Sequence, residues 1–385
     1  MTLRIGVVTV ARSDYGIYFP VLRLLQGNQE IDLRLIVAAA HLDPRFGNTI
    51  QEIEKDGFSI EARVPMAMGG DSREDVAVAI GTGVREFTSA YGRVLPDILL
   101  LLGDRYEMFA AAIAALPLRI PVAHIHGGEL TFGAIDDAIR HAITKLSHIH
   151  FAATSEYAQR IRQLGEESWR VHVTGSPVID SIVSLESIPR TELESEIGLD
   201  LSRTLLITFH PVTLEDNNAE NISNLLTAVS ASGHSLLFTY PNADSHSSEI
   251  IRGVRQLVDR TPDARLVPNL GHHKYHSVQK YVAAMVGNSS SGIIEAASFH
   301  LPVVNIGTRQ AGRVRPANVI DVGYSKEEIS RGIERAVSSD FRCSIADIPN
   351  PYGDGRAAEK IVSILKSVEI GPALLMKRFV DQRMD

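Results

Sequence analysis

Apolar runs of strand length alternate along this chain with stretches whose apolar positions recur every three to four residues. The first series is LRIGVVTV (3–10), IDLRLIVAA (31–39), DILLLL (97–102), IPVAHI (120–125) and HIHFAAT (148–154). The second is TLLITF (204–209), HSLLFTY (234–240), ARLVP (264–268), AAMVGN (283–288), LPVVNI (301–306) and NVIDV (318–322). Such runs fit strands covered on both faces, and the helical patterns between them fit parallel crossovers. The pattern predicts an α/β chain with two doubly wound, Rossmann-like domains. Gly175 and Pro177 interrupt it between the two series. The expected division is a first domain over 1–175, a second over 176–367, and a terminal helix over 368–385 that packs on the first domain. The segment PALLMKRFVDQR (372–383) carries that helix. VPMAMGGDSR (64–73) reads as a mobile loop.

In open α/β sheets ligands bind beyond the carboxyl ends of the strands, so the residues just after each run matter most. Those positions hold Arg12, Ser13 and Asp14, then His41, then Gly103, Asp104, Arg105 and Glu107, then His126 to Glu129. The second series places His210, Asn242, Asn288 with Ser289 to Ser291, and Arg309 to Arg315 in the same way. Two polar rims facing each other across a cleft are expected.

The composition narrows the chemistry. The chain has 385 residues, 44% of them hydrophobic and 22% charged, which is long enough for two cores. A net charge of −8 argues against nucleic-acid or anionic-membrane partners. The single cysteine, Cys343, excludes an internal disulfide or a Cys-rich zinc site and fits a cytoplasmic protein. Nowhere do 18 apolar residues run together, so no membrane span is expected.

Four motifs carry candidate chemistry. GNSSSGIIEAASFHLPVV sets small residues between a strand and a helix starting near Ser291. Ser289, Ser290, Ser291 and Gly292 would let a phosphate approach free N–H groups, and Glu295 would reach ribose hydroxyls. A serine-capped turn would show the same pattern without the acid one turn in. GTRQAGRVRPANVID offers Arg309, Arg313 and Arg315 to a pyrophosphate, against the alternative of a solvated loop with surface ion pairs. In HIHGGELTFGAIDDAIRHAITK, Gly127 and Gly128 let the chain turn so that Glu129 points toward the ligand, and Asp136, Asp137, Arg140 and His141 follow on a helix. Asp104 approaches from the neighbouring strand end. Clustered carboxylates with Arg and His neighbours suit a site that removes one proton and returns another. A metal on His124, His126 and Glu129 is the competing reading, as is His124 as a plain core histidine. ITFHPVT places His210 at a strand end, either packed or in contact with a phosphate. Neither a GxGxxG dinucleotide fingerprint nor a Walker A loop is present.

Taken in order, ARSDYG, GDRYE, HIHGGE with DDAIRHAITK, TGSPVID, TFHP, GNSSSGI with Glu295, GTRQAGR and NPYGDG resemble the hydrolysing UDP-N-acetylglucosamine 2-epimerases, GT-B-like nucleotide-sugar 2-epimerases of sialic and legionaminic acid biosynthesis. The likeness covers nearly the whole chain. It implies two Rossmann-like domains facing across a cleft, a C-terminal helix crossing back, no NAD, no metal and no other cofactor. It implies loss of the carbon 2 proton, departure of UDP to leave a glycal, and addition of water to give free N-acetylmannosamine. Asp104, Glu129 and Asp136, with Asp137 beside them, match the acid and base positions, and Arg140 and His210 would support the leaving diphosphate. Arg12, His41, Asn242, His272, Ser289, Ser290, Ser291, Gly292, Glu295, Arg309 and Arg313 are the expected substrate and nucleotide contacts. The resemblance also implies a UDP-sugar as partner and a homodimer or homotetramer. Two places depart from the family pattern, TVARSDY for the usual TGTRADY and Pro316-Ala317-Asn318 for the usual G-x-N. They bear on the sugar, since a related branch takes the 2,4-diacetamido-trideoxy sugar of the legionaminic acid pathway. A GT-B glycosyltransferase would share the sheets and the phosphate loop, and a non-catalytic sensor would bind without turnover.

Overall fold

The computed structural model describes residues 2–66, 72–132, 135–211, 218–241 and 247–381. The chain forms two compact units. The first comprises Met1–Glu129, Ile135–Ser181 and Gly353–Asp385, and the second comprises Leu130–Ala134 and Ile182–Tyr352.

The first unit is built on a seven-stranded sheet of β1 (Leu3–Thr9), β2 (Ile31–Ala38), β3 (Ile60–Val64), β4 (Ile98–Leu102), β5 (Val122–Ile125), β6 (Ile149–Ala152) and β7 (Val171–Val173). Its order is β3-β2-β1-β4-β5-β6-β7, and every pairing is parallel. The central strand β4, ILLLL, is buried at every position, as helices on both faces require. The second unit carries β8 (Thr204–Thr208), β9 (Ser235–Thr239), β10 (Ala264–Val267), β11 (Ala284–Gly287), β12 (Val303–Ile306) and β13 (Val319–Val322), again parallel, in the order β10-β9-β8-β11-β12-β13. The strand order reverses between β1 and β4 in one sheet and between β8 and β11 in the other. These are the switch points where α/β sheets open a crevice for ligands.

Each apolar run became a strand. The edge strands β3 and β7 were not anticipated. The expected boundaries also shift, because 176–181 and 353–367 group with the first unit and 130–134 with the second. Asp180, in TGSPVID, explains much of this. Its carboxylate accepts the backbone N–H groups of Ala357 at 2.9 Å and Ala358 at 2.6 Å, capping the helix Ala357–Ser367 and tying it to the first unit.

The expected helix over 372–383 is a single turn, Pro372–Leu375. The side chain of Arg170, itself buried, draws the carbonyls of Ala373, Leu374 and Met376 at 3.1, 2.8 and 3.3 Å. Those oxygens serve the guanidinium instead of a helical ladder. Beyond them Lys377 reaches the buried Glu166 at 2.8 Å, and Val380 N–H donates to Gly165 O at 3.0 Å. The tail is thus held on the first unit in a non-helical form. The loop expected at 64–73 falls at 67–71 outside the described residues.

Candidate functional site

In the first unit the acid and base candidates gather at the carboxyl ends of β4 and β5. β5 ends at Ile125, and the chain turns through His126 and Gly128, which have φ 65° and 77°. A Cβ at Gly128 would stand 2.3 Å from the carbonyl oxygen of Tyr157, so only glycine fits that close approach. Two arginines hold the turn from outside. Arg140 donates to His126 O at 2.8 Å and Arg160 to Gly128 O at 2.5 Å. Glu129 therefore sits buried with Oε1 3.3 Å from His126 Nδ1 and Oε2 3.8 Å from Arg140.

Arg140, on the helix Ile135–Leu146, also pairs with Asp104 after β4. Asp136, on the first turn of the same helix, has its carboxyl pushed above the usual range, first by burial and then by the neighbouring Asp104. Asp137 lies 3.7 Å from His141. The structure thus brings Asp104, Glu129 and Arg140 together, with Asp136 close enough to feel Asp104. One buried guanidinium serves two carboxylates while a third is biased toward its protonated form. That is the inequality a site needs to hold a base and an acid at one pH.

The H-x-H pair does not form a shared ligand set. His124 is a core residue, with Nε2 2.7 Å from Gly103 O and Nδ1 3.4 Å from Thr144 Oγ1. Burial lowers its pKa to about 3. His126 has left the strand, and its Nε2 meets Ser176 Oγ at 2.9 Å. Among the described residues no group of three or more His, Cys, Asp and Glu is placed to hold a metal ion.

His41 also departs from expectation. It is fully buried, with Nε2 2.9 Å from Thr9 Oγ1 and Nδ1 2.7 Å from Thr49 Oγ1, and burial lowers its pKa to about 4. Both nitrogens are used within the core, so the ring has nothing left for a ligand. Arg12 opens the helix Arg12–Gln26 and lies 3.3 Å from Glu52 with its side chain half exposed.

Asp14, two residues on, is buried, and its pKa is raised to about 6, mainly by burial, opposed by Arg105 and reinforced by Glu107. Arg105 and Glu107 themselves form two hydrogen bonds of 3.2 and 2.9 Å. A carboxyl whose folded pKa lies above its unfolded value near 3.8 costs stability as pH rises through that interval. Asp14→Asn is therefore expected to gain stability relative to the wild type between pH 4 and 7, by roughly 2–3 kcal/mol at the upper end. Urea midpoints of the two proteins compared across that range check it, and a constant difference would refute it.

In the second unit the nucleotide candidates surround the β8/β11 switch point. Gly287, at the end of β11, has φ 140°, and a Cβ there would meet Thr208 O at 2.0 Å. The close approach lets Asn288 bond His210 reciprocally. His210 N–H donates to Asn288 Oδ1 at 2.7 Å and Asn288 Nδ2 donates to His210 O at 2.8 Å. Asn288 O in turn accepts from Arg309 at 3.1 Å and Gln310 at 2.9 Å. Arg309 thus stands beside His210, whose pKa falls to about 3 through burial and then that guanidinium. The ring is neutral near pH 7 and can offer a hydrogen bond but no charge. Arg315 is bound into its own loop, 3.1 Å from Asp321 and 2.6 Å from Gln310 O, and Arg313 is half-buried beside it.

Ser289 caps the helix Ser290–Ile294 by accepting from Ser291 N–H. At five residues the helix has little macrodipole, so the dipole alone offers little to an anion. Ser291 Oγ meets Tyr275 OH at 2.7 Å. Glu295 accepts from His276 at 3.1 Å and Gln279 at 3.3 Å. Burial alone would raise its pKa, but His276, His272 and Gln279 together offset burial and hold the carboxyl below its ordinary range. His272 stacks edge-on against His276 with ring centroids 4.9 Å apart. A cavity of about 280 Å³ is lined by Thr208, His210, His272, Tyr275, Ser289 and Glu295 among others. Gly292 packs beneath the loop, where a Cβ would press Val303 at 2.9 Å. Asn242 lies outside the described residues.

Sequence reasoning missed Ser176, Arg160, Tyr275 and Gln279 as site residues. Ser176 stands in a motif singled out for its chain break, whereas Arg160 and Gln279 lie on helices with no local signal at all. Tyr275 stands in NLGHHKYH (269–276), three residues after the expected contact His272.

Two doubly wound parallel sheets, one bearing a carboxylate cluster and the other a serine-rich loop over a polar cavity, define an α/β fold of the GT-B-like class. The family model described as UDP-N-acetylglucosamine 2-epimerase matches residues 23–366, and the chain belongs to that family. It is similar to a UDP-N,N'-diacetylbacillosamine 2-epimerase (hydrolyzing) of Legionella pneumophila, 38% identical over 98% of this chain and 99% of that one. A GDP/UDP-N,N'-diacetylbacillosamine 2-epimerase (hydrolyzing) of Campylobacter jejuni is 37% identical over 98% and 99%. The crystal structure of a UDP-GlcNAc 2-epimerase from Neisseria meningitidis bound to UDP-GlcNAc shares the fold, with TM-score 0.82 and 21% identity over 95% of this chain and 100% of that one.

Proposed function

We propose that the protein is a hydrolysing 2-epimerase of a UDP-sugar and that its substrate is UDP-N,N'-diacetylbacillosamine. The substrate assignment rests on the full-length likeness to two relatives of that specificity. The reaction class is supported by the carboxylate cluster around Arg140.

In this reading the second unit holds the UDP group. Glu295 receives the ribose hydroxyls, while Ser289, Ser290 and Arg309 receive the diphosphate, which guanidinium and N–H groups bind well. The first unit supplies the proton transfers. A carbon 2 hydrogen beside an acetamido group is weakly acidic, so a placed base contributes roughly a hundred- to ten-thousandfold. Glu129 takes that proton as the bond from carbon 1 to the diphosphate oxygen breaks, leaving a 2-acetamidoglycal and UDP. Asp136, biased toward its protonated form, returns a proton to carbon 2 from the other face as water adds at carbon 1. The product is free 2,4-diacetamido-2,4,6-trideoxymannose.

The test is to incubate the protein, with no acceptor added, with UDP-N,N'-diacetylbacillosamine or with UDP-N-acetylglucosamine, following free UDP and free sugar. The expected result is a kcat/KM at least about tenfold higher for the diacetamido sugar, the scale of one well-read substituent. Preference for UDP-N-acetylglucosamine would reverse the substrate. UDP release that requires an added acceptor would replace the epimerase by a glycosyltransferase.

A further inference from the structure

The helix that carries Asp136 and Arg140, Ile135–Leu146, is finished at its far end by Lys377, 232 positions after Lys145. A helix leaves its last four carbonyls without partners of their own. Ser147 serves two of them here, its hydroxyl donating to Ile143 O at 2.7 Å and its N–H to Thr144 O at 3.1 Å. The Lys377 ammonium serves the next, donating to Lys145 O at 2.8 Å and, just past the helix, to Ser147 O at 2.5 Å. A cation at the carboxyl end of a helix is favoured by the charge on those carbonyls as well as by the hydrogen bonds.

The tail is anchored on both sides of that ammonium. Before it, Arg170 fixes the carbonyls of Ala373, Leu374 and Met376. After it, Arg378 N–H donates to Glu167 Oε2 at 3.3 Å and Val380 N–H to Gly165 O at 3.0 Å. The third hydrogen of the ammonium goes to Glu166 Oε2 at 2.8 Å. The side chain of Glu166 is fully buried and also meets Lys145 Nζ at 2.5 Å and His150 Nε2 at 3.1 Å. Burial disfavours its charge, but the hydrogen bonds from His150, Lys145 and Lys377 outweigh burial and hold its pKa down to about 2. Tail, helix end and the turn at 165–167 are thus joined through one carboxylate.

We propose that Lys377 is a positioning residue of the proton-transfer site, fixing the far end of this helix so that Asp136, at its near end, stays aligned with carbon 2 of the sugar. This rests on the reading of Asp136 as the group that reprotonates carbon 2. Arg140 is the pivot, bonded to His126 O and paired with Asp104. At about 1.5 Å per residue, Asp136 lies about 6 Å to one side of it and Lys145 about 7.5 Å to the other. A shift at the capped end is therefore passed to Asp136 at nearly full size, and a misplacement of about 1 Å can cost a reaction about a hundredfold. Lys145 and Thr144 also hold this end through their side chains, whereas Lys377 grips the backbone itself.

Lys377→Met tests this, since it keeps the apolar stem, removes the ammonium and leaves Glu166 its contacts with Lys145 and His150. Variant and wild type are given UDP-N,N'-diacetylbacillosamine, and UDP, free sugar and 2-acetamidoglycal are followed. The expected result is a kcat about tenfold lower with KM changed less than about twofold, and at least about a tenth of the UDP unmatched by free sugar, because glycal escapes before Asp136 reprotonates it. A protein that is merely less stable makes less product in the same proportions, so UDP and free sugar in the wild-type proportion overturn the proposal. Amide exchange read by mass spectrometry follows the helix itself. Exchange over 139–146 is expected to quicken at least about tenfold, and unchanged exchange also overturns the proposal. Lys377→Gln, which has a polar end but no ammonium, carries the same test should Lys377→Met fail to fold. Asp136→Asn that released no glycal would remove the reading of Asp136 while leaving the exchange result standing, so the two failures are distinguishable.

Discussion

Glu129→Gln is expected to lose at least about a hundredfold in product formation, the least that removal of a proton-transferring carboxylate costs, while UDP still binds. Gln has nearly the same shape, so the turn through Gly128 and its bond to Arg160 are preserved. Only the capacity to take a proton goes. Because the UDP contacts assigned here belong to the second unit, the dissociation constant for UDP by calorimetry should change by less than about twofold, well under the tenfold that corresponds to 1.4 kcal/mol. A variant that keeps more than about a tenth of wild-type turnover would exclude Glu129 from proton transfer.

Arg140→Met is expected to damage both stability and turnover. Arg140 is 3% exposed, bonds His126 O at 2.8 Å, pairs with Asp104 and stands 3.8 Å from Glu129. Methionine fills much of the volume but leaves a buried carbonyl and a buried carboxylate without the guanidinium. Breaking a buried pair from one side costs about 3–5 kcal/mol. The lower end applies, since the Asp104 side chain is 22% exposed and can turn to water, whereas that of Glu129 is 2% exposed and cannot. Turnover should fall at least about a hundredfold, because the base loses its place along with its cation. Arg140→Lys would not restore it, since a lysine cannot serve a carbonyl and two carboxylates from one planar fork. Urea unfolding measures the first effect, and a loss below about 0.5 kcal/mol, the range of an ordinary surface substitution, would show that the pair is not what holds the cluster.

The strands that sequence patterning found are those buried on both faces, where apolar residues run without interruption. β3 escaped because it is an edge strand whose outward positions are polar or charged, in IEARV. β7 escaped because three residues, VHV, carry no periodicity. The tail misled for a different reason. PALLMKRF has the spacing of a helix, but its carbonyls are claimed by Arg170, some 200 positions earlier, and no local pattern reports a distant donor. The site divides the same way. Two glycines before Glu129 announced a tight turn, and the strand-end rule located Asp104, His210 and Asn288 at the switch points. The same rule misplaced His41, because Thr9 and Thr49 close over its ring. The contact of Ser176 with His126 joins residues 50 positions apart and exists only once β7 is laid beside β6 and β6 beside β5.

The central claim is that carbon 2 is inverted by elimination and rehydration, with protons carried by Glu129 and Asp136. Running the reaction to completion in deuterium oxide tests it most directly. Both carboxyl groups exchange with solvent, so the account predicts one deuterium at carbon 2 of the free sugar, read by mass spectrometry and by loss of the carbon 2 proton resonance. Full turnover with the original hydrogen retained at carbon 2 would contradict the elimination and, with it, the roles assigned to those carboxylates.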